Sequence, residues 1–156
     1  MTIILQHSRT VELNRVEYRG PISIAEMHAL AEFQLGHPDW IAYDFFSLIA
    51  AGADFHALTR NDLDSVVVKY RRLFERKDMI IFRRAAWVSH SPQAQAHLDH
   101  WIAQRNAPEG QTQEARQFAT CAEAAAWLAL PADQAANLET GEGFTELARL
   151  ESPDAA

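Results

Sequence analysis

The chain has 156 residues, 48% of them hydrophobic, and a formal net charge of −7. That length favours one domain plus a tail, with enough apolar residues for a sizeable core. The acidic balance argues against a general nucleic-acid or anionic-membrane binder. Cys121 is the single cysteine, which excludes an intramolecular disulfide and the paired-cysteine spacings of zinc ribbons and redox motifs. The first seven residues carry no charged n-region and only a short apolar run, unlike a signal peptide, and no apolar run approaches transmembrane length. The expected setting is cytoplasmic, with no integral membrane segment.

Residues 2–7 and 11–19 read as two strands, joined closely enough through Ser8, Arg9 and Thr10 for a hairpin. After Gly20-Pro21, Ser23 and Glu26 form a capping box, and a helix follows with Ile24, Met27, Leu30, Ala31 and Leu35 on one face. Gly36 ends it. Residues 40–49 read as a third strand. Thr59 and Asp62 cap the clearest helix, with Leu63, Val66, Val67, Tyr70, Leu73 and Phe74 at helical spacing. Residues 79–89 read as a fourth strand. Ser91-Pro92 opens a third helix that buries Ala94, Leu98, Trp101 and Ile102. A weak last strand over 114–119 leads to a capping box at Thr120 and Glu123 and a fourth helix over 121–130.

Residues 1–130 are therefore expected to form one α/β domain, and 131–156 an acidic C-terminal tail. Phe144, Leu147 and Leu150 repeat every three residues, which predicts a short helix over 144–150. Strand–helix alternation implies a mostly parallel sheet with right-handed crossovers. If the strands add in sequence order, the crossover helices share one face, and the other is left for the tail, a partner or water.

The order strand, strand, helix, then repeated strand–helix units resembles the SpoIIAA-like/STAS fold over about residues 1–130. Three stretches carry the likeness: the hairpin running through Gly20 into Pro21-Ile22-Ser23-Ile24, the strand Arg84-Ala85-Ala86-Trp87-Val88-Ser89 entering Ser91-Pro92, and the last strand leading into Thr120-Cys121-Ala122-Glu123. The resemblance implies a non-catalytic regulatory or protein-interaction domain, since that fold includes anti-sigma-factor antagonists, transporter regulatory domains and lipid-binding relatives. It implies a protein partner or self-association, no nucleic acid and no cofactor. Anti-sigma antagonists carry an Asp-Ser-Ser-Gly-like switch where this chain reads Asp54 to Asp62. The phospho-switch is therefore not carried over, and Thr59, the one hydroxyl near that place, is left as the weak candidate for a phosphorylation site.

Lys69, Arg71, Arg72, Arg76, Lys77, Arg83 and Arg84 hold half of the 14 basic residues. Arg72, Arg76, Arg83 and Arg84 are the candidates for docking an anion; helix-end cations complementing the macrodipole are the alternative. His97 and His100 share a helix face at a spacing of three and are the candidate metal ligands, with a polar outer face as the alternative. Cys121 falls in a first helical turn, where the dipole can lower a thiol pKa. Two further functions stay open: a carrier or sensor of a small amphipathic or anionic ligand, and a small enzyme using Asp44, Arg83 and His90.

Overall fold

The computed structural model describes residues 2–75, 83–108 and 113–151. The strands are β1 (Thr2–Ser8), β2 (Leu13–Arg19), β3 (Asp44–Ile49), β4 (Arg83–Ser89), β5 (Gln113–Phe118) and β6 (Thr145–Glu151). The helices are α1 (Ile24–Gly36), α2 (Arg60–Glu75), α3 (Gln95–Arg105), α4 (Cys121–Trp127) and α5 (Ala135–Thr140). One mixed sheet runs in the order β5-β4-β3-β2-β1-β6. From β2 to β5 the pairing is parallel, and β1 is antiparallel to both β2 and β6.

Because β2, β3, β4 and β5 add in sequence order, right-handed crossovers put α1, α2 and α3 on the same face. Alternate strand residues point to that face: Val16 and Tyr18, Phe45 and Ile49, Ala85 and Trp87, and Ala115. They meet Met27, Leu30 and Ala31 of α1, Leu63, Val66, Val67 and Tyr70 of α2, and Leu98 and Trp101 of α3. The amphipathic stripe expected for α2 is buried as far as Tyr70; the side chains of Leu73 and Phe74 lie outside the described residues.

The opposite face is not left open. β5 is one edge of the sheet and β6 pairs at the far one, so the chain between them recrosses the whole sheet. It does so on the free face, as α4 and α5, whose Cys121, Ala124, Ala125, Leu128 and Leu138 cover Phe46, Leu48, Ala86 and Val88.

The segment expected as a helix over 144–150 is instead strand β6. Period-three spacing mimics a helix, but the exposed edge of β1 offers a ladder of backbone partners, and β6 takes it from Thr145 to Glu151. The register shifts at Leu147, which a bulge leaves 48% exposed. Three smaller corrections follow from packing. Trp40 starts a short 3-10 turn, not a strand, and β3 begins at Asp44. Leu35, near the end of α1, is exposed, and Gln34 is buried in its place. Ser91 does not cap α3, because its buried hydroxyl donates to the Ala53 carbonyl at 2.6 Å. The part of the fourth expected strand over 79–82 lies outside the described residues.

Arg15 fastens the recrossing segment to the sheet. Its side chain, 1% exposed, donates from Nε to the Leu138 carbonyl at 2.8 Å and from Nη2 to the Glu139 carbonyl at 3.0 Å. Nη1 reaches Gln6 Oε1 at 2.5 Å and Glu17 Oε2 at 2.8 Å. Gly141, in the left-handed region at φ 79°, follows α5, and a Cβ there would stand 3.2 Å from Arg15 Nη1. Replacing Arg15 by Leu orphans two carbonyls and leaves Glu17 with a single, half-exposed partner, Arg19. The expected cost is about 3 kcal/mol in urea unfolding; an unchanged midpoint would show that α5 is held by apolar packing alone.

Glu17 gives the same contact a pH signature. Burial pushes its carboxyl up, but hydrogen bonds from Arg19 and Arg15 outweigh this and hold it below its ordinary value of 4.5. Its contribution to stability is therefore complete above pH 4.5 and is lost as pH falls through the depressed folded value. Glu17→Gln is expected to flatten that part of the acid limb in a stability–pH profile. An acid limb identical to that of the parent protein would count against the pairing.

Candidate functional site

The helical layer over β2 to β5 does not close completely. Mid-sheet, Ser47 and Ala85 present small side chains where neighbouring positions carry Tyr18, Phe45 and Trp87. A cavity of about 50 Å³ remains above them. Its floor is Val16, Tyr18, Phe45, Ser47, Arg83, Ala85, Trp87 and Gln113 from the four parallel strands. Its roof is Leu30 and Gln34 of α1, Tyr70 of α2, and Trp101 and Arg105 of α3.

Two guanidinium groups stand in this interior. Arg83 is 3% exposed, donates from Nη1 to the Ile41 carbonyl at 2.6 Å, and lies 5.0 Å from the Phe45 ring centroid. Arg105 is 8% exposed and lies 4.9 Å from the Tyr70 centroid and 5.9 Å from that of Trp101. Its Nε has no hydrogen-bond partner. Neither do the buried indole N–H groups of Trp87 and Trp101. None of the described residues lining the cavity is acidic. The nearby carboxylate of Asp44 starts β3 on the other face, where Arg84 holds it.

The electrostatics agree with the geometry. Burial, with Arg105 nearby, pulls Arg83 down to about 9. Burial, with Arg71 adding to it, pulls Arg105 down to about 10. Both stay cationic at neutral pH. Burial pushes the Tyr18 and Tyr70 phenols up, so both remain neutral hydroxyls. Among the described residues, the cavity lining is thus rich in cationic and N–H donors, and none of its acceptors is a carboxylate. Local structure fixes it: Asn106, one residue past Arg105, exchanges two hydrogen bonds of 2.8 Å with the backbone of Ala115 in β5.

The anion candidates do not converge. Arg83 points into the cavity. Arg84 points to the opposite face, where it binds Asp44 and donates to the carbonyls of Trp127 and Leu128 at the end of α4. Arg72 is exposed on α2, and Arg76 lies outside the described residues. Asp44, Arg83 and His90 form no cleft. Asp44 and Arg83 serve opposite faces, and His90 follows the far end of β4, about 20 Å of strand away from Arg83. His90 Nε2 is 2.7 Å from Glu139 Oε1.

His97 and His100 also take separate partners. His97 Nε2 meets the Leu58 carbonyl at 3.0 Å, and His100 Nε2 meets Asp64 Oδ1 at 2.7 Å. Among the described residues no three potential ligands group together. Cys121 donates its thiol proton to Glu139 Oε2 at 3.0 Å; burial and that carboxylate push it up to about 12, against the lowering expected from the helix dipole.

Arg105 is the residue that sequence reading missed. Leu98, Trp101 and Arg105 lie at i, i+3 and i+7, so the apolar stripe of α3 continues into a charged residue. Gln34 extends the α1 stripe of Met27, Leu30 and Ala31 in the same way. A charge or amide falling on a buried stripe was the available signal.

Comparisons with protein-family models, with curated proteins and with solved structures return no match. Among the described residues no helix is long and apolar enough to cross a membrane.

The Thr59 hydroxyl has a structural task. It accepts from the Asp62 amide at 3.1 Å and donates to Asp62 Oδ2 at 2.8 Å, while that carboxylate accepts from the Thr59 amide at 2.8 Å. This capping box starts α2. Thr59→Ala is expected to lower the melting temperature and to speed hydrogen exchange in the first turn of α2. Thr59→Glu, which sets a like charge beside Asp62, is expected to do both more strongly. Unchanged exchange in both variants would remove the capping role.

Proposed function

We propose that this chain is a non-catalytic α/β binding module of SpoIIAA/STAS-like type that takes up a small anion between its sheet and helices α1 to α3. One observation carries the reading: Arg105 is buried with its Nε unpartnered, next to a second buried guanidinium and in a lining whose described residues include no acidic one. A buried cation left short of acceptors is costly, and a bound anion supplies both the charge and the lone pairs. The strand order supports the fold likeness: an opening hairpin, then parallel strands added in sequence with their helices on one face. The covered second face and the sixth strand are additions to that pattern. As a regulatory module, the domain would report occupancy of the cavity to a protein partner.

The enzyme reading has less support. None of the described residues lining the cavity is a carboxylate, and the Asp44, Arg83 and His90 set is dispersed.

Titration calorimetry with acetate and with inorganic phosphate tests the proposal. Binding of one of them is expected in the parent protein, with at least a tenfold loss in Arg105→Gln. Arg72→Gln, on the exposed face of α2, is expected to bind as the parent does. Loss in the Arg72 variant with retention in the Arg105 variant would move the site to the surface. Absence of binding to either anion would defeat the proposal.

A further inference from the structure

A groove of about 380 Å³ opens on the surface near the start of β3, and it shares no residue with the interior cavity. Four of its lining residues are aromatic rings: His7 of β1, His37 and Trp40 after α1, and Tyr43 before β3. These rings are held from behind. Asn14 donates its amide to the Trp40 carbonyl, so its Oδ1 accepts from His7 Nδ1 at 2.7 Å. The His7 ring lies 4.8 Å from that of Tyr43. His37 donates from Nδ1 to the Phe33 carbonyl at 2.7 Å and stacks on the Phe33 ring at 4.0 Å. Phe33 in turn meets Trp40 edge-on at 5.4 Å. Walls fixed in this way lose little freedom when a ligand binds.

Two opposite charges line the same groove. Arg9 sits in the turn between β1 and β2, Asp39 in the loop after α1, and both are exposed. Among the described residues neither side chain makes a hydrogen bond or an ion pair, so the two do not neutralise each other. We infer that the groove binds an aromatic α-amino acid, its carboxylate at Arg9, its ammonium at Asp39 and its ring among His7, Tyr43 and Trp40. A zwitterion supplies a partner to each charge at once, and its carboxylate matches the guanidinium fork. An aromatic ring packs edge-on or offset against rings already in place. It would also cover Leu147, the exposed leucine on the bulge of β6. This site is separate from the interior anion site and stands without it.

Size agrees with the chemistry. A cavity that takes a benzene ring measures ~150 Å³. At about 380 Å³ the groove has room for such a ring and a charged head group. Small-molecule sites span roughly 300–1,000 Å³. An aliphatic amino acid would leave the four rings without a stacking partner. A nucleotide would bring its phosphates beside the Asp39 carboxylate, where like charges repel.

The experiment is calorimetry on the full-length protein with phenylalanine, tryptophan, phenylpropionate, phenethylamine and leucine. Backbone amide NMR shifts are followed in parallel to place the ligand. One of the two aromatic amino acids is expected to bind, with shifts at Arg9 and at residues 36–43. Phenylpropionate lacks the ammonium and phenethylamine the carboxylate, and each is expected to bind about fivefold more weakly or worse. Leucine, which has no ring to stack, is expected to fall off likewise. Arg9→Gln and Asp39→Asn change exposed side chains and are expected to weaken the amino acid by about the same factor. Arg72→Gln, which also removes an exposed cation but lies on α2, is expected to bind as the parent does. Phenylpropionate, phenethylamine or leucine binding as tightly as the aromatic amino acids overturns the inference. So does binding that neither Arg9→Gln nor Asp39→Asn weakens, or shifts centred on α3 in place of the groove. Binding of none of these compounds overturns it outright. None of these results bears on the anion site at Arg105.

Discussion

A guanidinium taken out of water has to be given acceptors or countercharge, and this domain meets that constraint in two different ways. Arg15, on the α4–α5 face, meets it internally with a carboxylate, an amide oxygen and two carbonyls. Arg83 and Arg105, on the α1–α3 face, are set against aromatic rings and small neutral groups. The first arrangement is a fastening. It holds the recrossing segment against β2 and so brings β6 to the free edge of β1. The second is the candidate site, because Arg105 is buried there with its Nε unpartnered.

Both depend on the two-residue period of β2, β3 and β4. Arg15 and Glu17 fall on one side of β2, and Val16 and Tyr18 on the other. The same alternation sends Arg84 to Asp44 and Arg83 into the cavity, though they are neighbours in the chain. A basic pair that looks like one patch in sequence becomes two unrelated contacts. The small side chains of Ser47 and Ala85 then leave the space that the surrounding aromatics do not fill.

The covered second face has a topological cause. Strands added in sequence order put three helices on one side and carry the chain steadily toward β5. Reaching β1 again requires a return, and the bare face is the available route. The return also explains the chemistry around α4. Its last carbonyls receive Arg84, and its first turn places Cys121 against Glu139, where the thiol keeps its proton. The features at these helix ends, Thr59 included, are occupied with holding the fold.

The alternation of strands and helices, the parallel run of β2 to β5 and the one-sided placement of α1 to α3 were legible from sequence alone, because hydrophobic periodicity and end signals such as Thr59 and Thr120 are local. So was the buried stripe of α2 as far as Tyr70. What tertiary structure alone decided was non-local. The segment 144–150 shows helical spacing, but β1 was an unpaired edge, and backbone pairing across the fold outweighed a three-residue pattern. Ser91 has a cap-like sequence, but its hydroxyl is spent on a carbonyl 38 residues away. The site is the clearest case. Arg83 was visible as a basic residue, but its partner in the cavity, Arg105, lies at the end of another helix. Only the packing of α3 over β4 and β5 brings the two together, because burial and proximity of charges belong to the folded arrangement and leave no mark on residue order.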